Sequence, residues 1–261
     1  MNSPPPDGSS RRPRTSRLLW LETDLWMKAI KTRDTVMTVF VVDPIIRLIL
    51  PLVLRCRLSP NLITLISFGV GTWCGIMLLQ GRSHLAAVLF LAWYTIDCID
   101  GKVARLTDRC TGFGLWLDVT TDRIGTCIVL LCAASHSLAM EDPLTAGLFL
   151  MLLLVWLVGS LNSDLLMKLA PSYTTRSRAV GLGNSQPDEP GSNSLRERLN
   201  RMRLGRWIVQ DIEFLTIAVA LGPVVGMARE GAILALGGMS LQKMAQTTGY
   251  WLRRRNEISS V

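Results

Sequence analysis

From Leu62 to Gln80 the chain runs without a single charged side chain. A stretch of that length suits one helical crossing of a hydrocarbon layer about 30 Å thick. Backbone inside lipid has no water to bond, so a crossing segment must be a helix or part of a closed barrel. The run is Leu-, Ile- and Gly-rich and lacks strict alternation, which reads as helix. Similar runs recur at 85–104, 114–135, 144–166, 212–227 and 231–250, giving six expected spans. The 261-residue chain is 49% hydrophobic and only 18% charged, too few charges to furnish a water-facing surface. The expected class is therefore an all-α integral membrane protein.

The flanks divide in the same way. Residues 1–35, rich in Pro, Ser and Arg at their start, read as a disordered or interfacial leader without an apolar signal core. Residues 36–261 read as one membrane domain. Pro44 to Arg55 is expected as an amphipathic juxtamembrane helix, because Asp43, Pro44, Arg47 and Pro51 interrupt an otherwise apolar run. The stretch 168–210 is polar and basic, with Gly and Pro from Gly181 to Gly191, and reads as a cytoplasmic loop. Six cysteines without a C-x-x-C pair read as apolar packing, and His84 and His136 as interfacial polar residues.

The net charge of +8 needs an explanation other than nucleic acid. Three short turns near Arg82, Ser137–Pro143 and Arg229 hold two of the 28 Lys and Arg residues, and the opposite helix ends hold nearly all the others. By the positive-inside rule both termini are cytoplasmic, in a cell membrane whose anionic lipid the basic ends would meet.

Against this apolar background, four carboxylates stand out: Asp97, Asp100, Asp118 and Asp122. Acids inside a membrane are costly and mark function. Asp97 and Asp100 share a helix face at roughly 100° per residue, and Gly114, Asp118 and Asp122 form a second stripe. Thr107 to Gly112 between them is turn material. Two antiparallel helices would thus turn two acids each toward the other, at the cytoplasmic end. Oxygen-only ligands suit Mg²⁺ first and Mn²⁺ second. Two such ions could clamp a phosphoanhydride.

The run Asp97-Cys98-Ile99-Asp100-Gly101-Lys102-Val103-Ala104-Arg105, continued by Gly114, Asp118 and Asp122, fits D-x-x-D-G-x-x-A-R-x8-G-x-x-x-D-x-x-x-D at every fixed position. It resembles the signature of the CDP-alcohol phosphotransferases, membrane enzymes of phospholipid synthesis. Ser59 to Thr64 is similar to the segment before that family's first membrane helix. The resemblance implies Mg²⁺-dependent transfer of a phosphatidyl or other phospho-alcohol group from a CDP-alcohol to an acceptor hydroxyl, with release of CMP. CDP-diacylglycerol is the first choice of donor and a soluble CDP-alcohol the second. Asp97, Asp100, Asp118 and Asp122 are the expected metal ligands, and Asp122 is also the implied proton acceptor. Asn61, Thr64, Gly101, Ala104, Arg105, Thr111 and Gly114 are expected on the CDP half. Each has a plainer reading too: Asn61 as a helix cap, the small residues as packing, Arg105 as a topology-setting charge. A homodimer is implied by the resemblance alone.

Acceptor recognition is less legible. Family members that take phosphorylated acceptors hold the phosphate with basic residues after the fourth helix, which points to Lys168, Arg176 and Arg178. The long Ser/Gly/Pro insert departs from the compact loop of those enzymes. Asp211 and Glu213 could bond a polyol, although acids at a helix start have a structural reason already. Two rival readings are an intramembrane prenyltransferase and a cation transporter. The Gly-Ala-Arg interleaving speaks against the first, and acids clustered at one face speak against the second.

Overall fold

The computed structural model describes residues 23–31, 34–169 and 209–258, and in these it is all helix apart from turns and short connections. In chain order they form α1 (Thr23–Ala29), a π-helical turn (Thr38–Val42) leading into α2 (Asp43–Arg55), α3 (Pro60–Leu79), α4 (Ser83–Leu106), α5 (Gly112–Ala139) and α6 (Pro143–Leu169). After 209 come α7 (Asp211–Leu215), a π-helical stretch (Thr216–Leu221), α8 (Gly222–Val225) and α9 (Ala228–Ile258).

Helix starts follow local chemistry. Ser59 caps α3, its Oγ accepting from the Leu62 amide at 3.3 Å, with Pro60 in the first turn. Thr111 caps α5, its Oγ1 accepting from the Gly114 amide at 3.0 Å. At the opposite end, Asp142 accepts from the amide and hydroxyl of Thr145 and from Arg229 at 2.8 Å. Those bonds hold its carboxyl below the usual carboxylate range, at about 2. They tie the α5–α6 turn to the start of α9.

Among the described residues, three helices are long and apolar enough to cross a membrane: α3, α4 and the Pro143–Leu165 part of α6. In α5 the residues Asp118, Asp122 and Arg123 interrupt the apolar stretch, and the segment 211–225 is broken by a π-helical stretch. The stretch expected to lie beside the membrane forms a helix, α2, with Pro44 in its first turn. Ile46 and Leu50 are buried while Leu48 and Leu52 face outward. All six cysteines are free.

Two apolar clusters hold the bundle. The larger joins α3, α4, α5, α6 and the 211–239 hairpin around residues such as Phe90, Leu130, Phe149, Leu152 and Met239. The smaller packs Trp26, Ala29, Val42, Ile46 and Leu50 against Ile63, Ile99 and Val103. Part of the expected leader is therefore packed: from Thr23 it forms a helix whose Trp26 and Ala29 are buried against the acid-bearing end of α4.

The position of the acids depends on one ring. A Cβ at Gly71 of α3 would lie 2.7 Å from the Trp93 ring, and one at Gly125 of α5 would lie 2.8 Å from it. Trp93 of α4 thus slots between two glycines and sets three helices at a fixed spacing, one turn from Asp97. Gly75 makes a similar close approach to Ile128, whereas Gly69 meets nothing within 4 Å. Gly125→Leu should lower stability by about 1–3 kcal/mol through overpacking, read as a lower unfolding midpoint in detergent micelles. An unchanged midpoint would show that the helices are not set by Trp93.

Candidate active site

The C-terminal part of α4 and the N-terminal part of α5 bring the acids together, as their spacing predicts. Carboxylate oxygens of Asp97, Asp100 and Asp118 all lie within 4.8 Å of one another. Asp100 is buried, and the other two are half-buried. Three anionic oxygens converging at this distance form a donor set for a hard divalent ion. Asp122, one turn beyond Asp118, stands outside that trio and within hydrogen-bonding reach of Asp97.

Helix α3 orients two of the three. Thr64 Oγ1 donates to Asp100 Oδ2 at 2.5 Å, and Ser67 Oγ donates to Asp97 Oδ1 at 3.5 Å. Thr64 and Ser67 are three apart on α3, and Asp97 and Asp100 are three apart on α4, so the two helix faces match register by register. Thr64 is thus a support for a carboxylate, and Ser67 a partner that motif reading passes over. The matching i, i+3 spacing of two hydroxyls in an apolar helix was the available signal.

Asp97, Asp100, Asp118 and Thr64 border a cavity of about 1200 Å³, whereas Asp122 and Ser67 stand behind its lining. Asn61, Thr64, Gly101, Ala104, Arg105, Thr111 and Gly114, the positions expected to face a nucleotide, all border it. Two glycines in this set make room for neighbours. A Cβ at Gly114 would come within 3.0 Å of Asn61 Oδ1 and 3.1 Å of Thr111 Oγ1, so its absence lets both side chains reach the α5 start. At Gly101 a Cβ would lie 3.2 Å from a guanidinium nitrogen of Arg105. Arg105 Nε donates to the Ala29 carbonyl at 2.8 Å, which fixes the guanidinium beside the cavity.

Further walls come from stretches no motif marks. Lys31, Asp34, Thr35 and Thr38 border one side, and the Thr38 hydroxyl shares a 2.5 Å bond with the Tyr94 hydroxyl. The Met37 amide donates to Glu213 Oε1 at 3.1 Å, so Glu213 ties this segment to α7. Lys102, inside the signature, turns from the acids into a buried ion pair with Asp43 of α2 at 3.0 Å. The far side is formed by Ser163 of α6, Asp211 of α7, and Gln242, Lys243 and Gln246 of α9. The side chain of Lys168 and the whole of Arg176 and Arg178 lie outside the described residues.

Residues 57–183 match the family described as CDP-alcohol phosphatidyltransferase. Over that stretch the chain is similar to the CDP-alcohol phosphatidyltransferases. That match holds the acid trio, its α3 supports and all seven positions expected to face a nucleotide. Over 85 residues the chain is 38% identical to the phosphatidylinositol phosphate synthase of Corynebacterium glutamicum, covering 32% of this chain and 37% of that relative. The alignment thus spans little more than a third of that relative. The α1–α2 region and the α7–α9 wall lie outside the domain match, although both border the same cavity.

Proposed function

We propose that the protein transfers a phosphatidyl or related phospho-alcohol group from a CDP-alcohol, with CDP-diacylglycerol the first candidate, to an acceptor hydroxyl, releasing CMP. The observation that carries this reading is the carboxylate trio at the mouth of a cavity bordered by every nucleotide-facing position of the signature. The domain match and the similarity to a phosphatidylinositol phosphate synthase support it.

Asp97, Asp100 and Asp118 would hold Mg²⁺. Bound there, the ion supplies neutralisation of the diphosphate and of the charge that grows on the leaving oxygen. The protein's own work is positioning. Thr64 and Ser67 keep two carboxylates aimed inward, and Arg105, held on the Ala29 carbonyl, keeps a guanidinium beside the phosphate path. Asn61, Thr111 and the space over Gly114 would seat the CMP half. The acceptor oxygen attacks the β-phosphorus, the bond to CMP breaks, and the hydroxyl proton passes to Asp122. Standing outside the trio leaves Asp122 a better base than a carboxylate bound directly to a cation. The gathering of basic residues at this end of the bundle supports a cytoplasmic orientation for it under the positive-inside rule.

Metal-dependent CMP release in mixed micelles with CDP-diacylglycerol tests the reading. Release should require a divalent ion and fall about a hundredfold in Asp122→Asn, the usual contribution of a general base. Full activity in that variant would remove Asp122 from the reaction. CDP-diacylglycerol that neither binds nor reacts would exclude it as donor.

A further inference from the structure

On one side of the cavity, three hydroxyls join α4 to a stretch of chain that precedes the family-matching residues. Thr35 and Thr38 are 3% and 1% exposed, yet both border the cavity, as does the half-buried Tyr94 of α4. The hydroxyls form a chain. Thr38 Oγ1 lies 3.1 Å from Thr35 Oγ1 and 2.5 Å from the Tyr94 hydroxyl. The Thr35 oxygen also accepts from the Thr38 amide at 3.2 Å.

Each hydroxyl has one hydrogen to give. Two contacts use two of the three, whichever way the chain runs, and among the described residues none of these hydroxyls meets another acceptor. One hydrogen therefore remains for an oxygen in the cavity. A donor left unmet inside the protein is costly, and Tyr94 is the least enclosed of the three. The favoured order thus runs from Thr35 through Thr38 to the Tyr94 oxygen, which gives its hydrogen outward.

The level of this hydrogen along the site identifies what it meets. Helices α3 and α4 are in register, since Thr64 bonds to Asp100 and Ser67 to Asp97. Asn61 and Arg105 lie on one side of those pairs, as do Thr111 and Gly114 at the start of α5, before Asp118. Tyr94 lies on the other side. It is one turn beyond Asp97, about 4.5 Å along the helix axis, and roughly 16 Å from Arg105. A CDP-alcohol with its CMP among Asn61, Arg105 and Thr111 and its diphosphate on the acids would extend its alcohol toward Tyr94.

We propose that Tyr94, aimed by Thr38 and Thr35, donates a hydrogen bond to the alcohol that the donor carries. The site thereby favours an alcohol with an oxygen beyond the phosphoester, as in glycerol, over a plain alkyl one. This rests on the transferase reading above, because that reading sets which end of the donor faces Arg105.

Displacement of labelled CDP from the full chain in lipid nanodiscs with Mg²⁺ tests it. The competitors are CDP-glycerol and the CDP ester of 1-propanol, which differ only in hydroxyls on the carried alcohol. The unaltered protein should hold CDP-glycerol about tenfold more tightly, the effect of one bond at a buried group. Tyr94→Phe should bring that ratio close to one and leave CDP itself unchanged, a pattern that misfolding cannot imitate. Thr38→Val should lower the ratio in part, and the double variant should lower it no further than Tyr94→Phe. A ratio near one in the unaltered protein, or a ratio indifferent to Tyr94→Phe, would overturn the proposal and leave the transferase reading standing. So would equal losses of CDP and CDP-glycerol in Tyr94→Phe, which would put the hydroxyl on the nucleotide. No Mg²⁺-dependent CDP binding would remove the transferase reading, and this proposal with it.

Discussion

Asp100→Asn should abolish metal-dependent CMP release, with a fall of about a thousandfold or more. Asp100 is the buried member of the trio, and its oxygens lie within 4.8 Å of those of Asp97 and Asp118. An amide can still accept a bond from Thr64, so helix packing should survive while the anionic donor set loses a charge. The loss corresponds to the several kcal/mol that a bound divalent ion contributes to stabilising developing phosphate charge. Thr64→Val supplies a graded comparison. It leaves the three acids in place but removes the 2.5 Å bond that aims Asp100, and partners of that kind usually change metal affinity or activity 10- to 100-fold. Excess Mg²⁺ should therefore recover part of the activity of Thr64→Val and none of that of Asp100→Asn. Equal activity in Asp100→Asn and the unaltered protein would dismiss the trio as a metal site.

Asp43→Leu should destabilise the fold by about 3–5 kcal/mol, because it strands the Lys102 ammonium in a buried site. The two side chains are 3.0 Å apart and almost wholly enclosed, at 4% and 6% exposure. The pair joins α2 to α4 two residues beyond Asp100, beside the smaller apolar cluster. Its net worth is a different quantity from the cost of breaking it. Replacing both partners, as Asp43→Leu with Lys102→Met, should recover much of the loss, since buried pairs often break even against apolar residues of similar size. Unfolding midpoints of the two single variants and the double variant in micelles measure the coupling. Midpoints that simply add would mean that the two charges do not interact.

The acids were legible because chemistry and periodicity coincide in them: carboxylates at i, i+3 and i, i+4 in apolar helices have few structural excuses. Apolar runs of spanning length located α3, α4, α5 and α6 within a few residues. Other features depend on tertiary partners that no local pattern reveals. Gly71 and Gly125 look alike in sequence to Gly69, yet the first two receive the Trp93 ring and Gly69 meets nothing. Thr23–Ala29 is too short and too polar to announce itself as a helix, and it is packed through Trp26 and Ala29 against α4. Lys243 and Gln242 are single polar residues late in a helix; only the approach of α6 and α7 gives them meaning.

The cavity is bordered by two separate lengths of chain. Residues 57–183 carry the acids and the positions expected to face a nucleotide, while 210–246 carry most of the far wall. On the proposed reading, the reacting groups and the wall that faces them are inherited on different segments. Changes in the second can reshape the cavity while the first stays untouched, so this scaffold can vary one wall by drift in a single hairpin. The same separation offers a route for engineering, in which a hairpin from a relative is exchanged behind an unaltered set of acids.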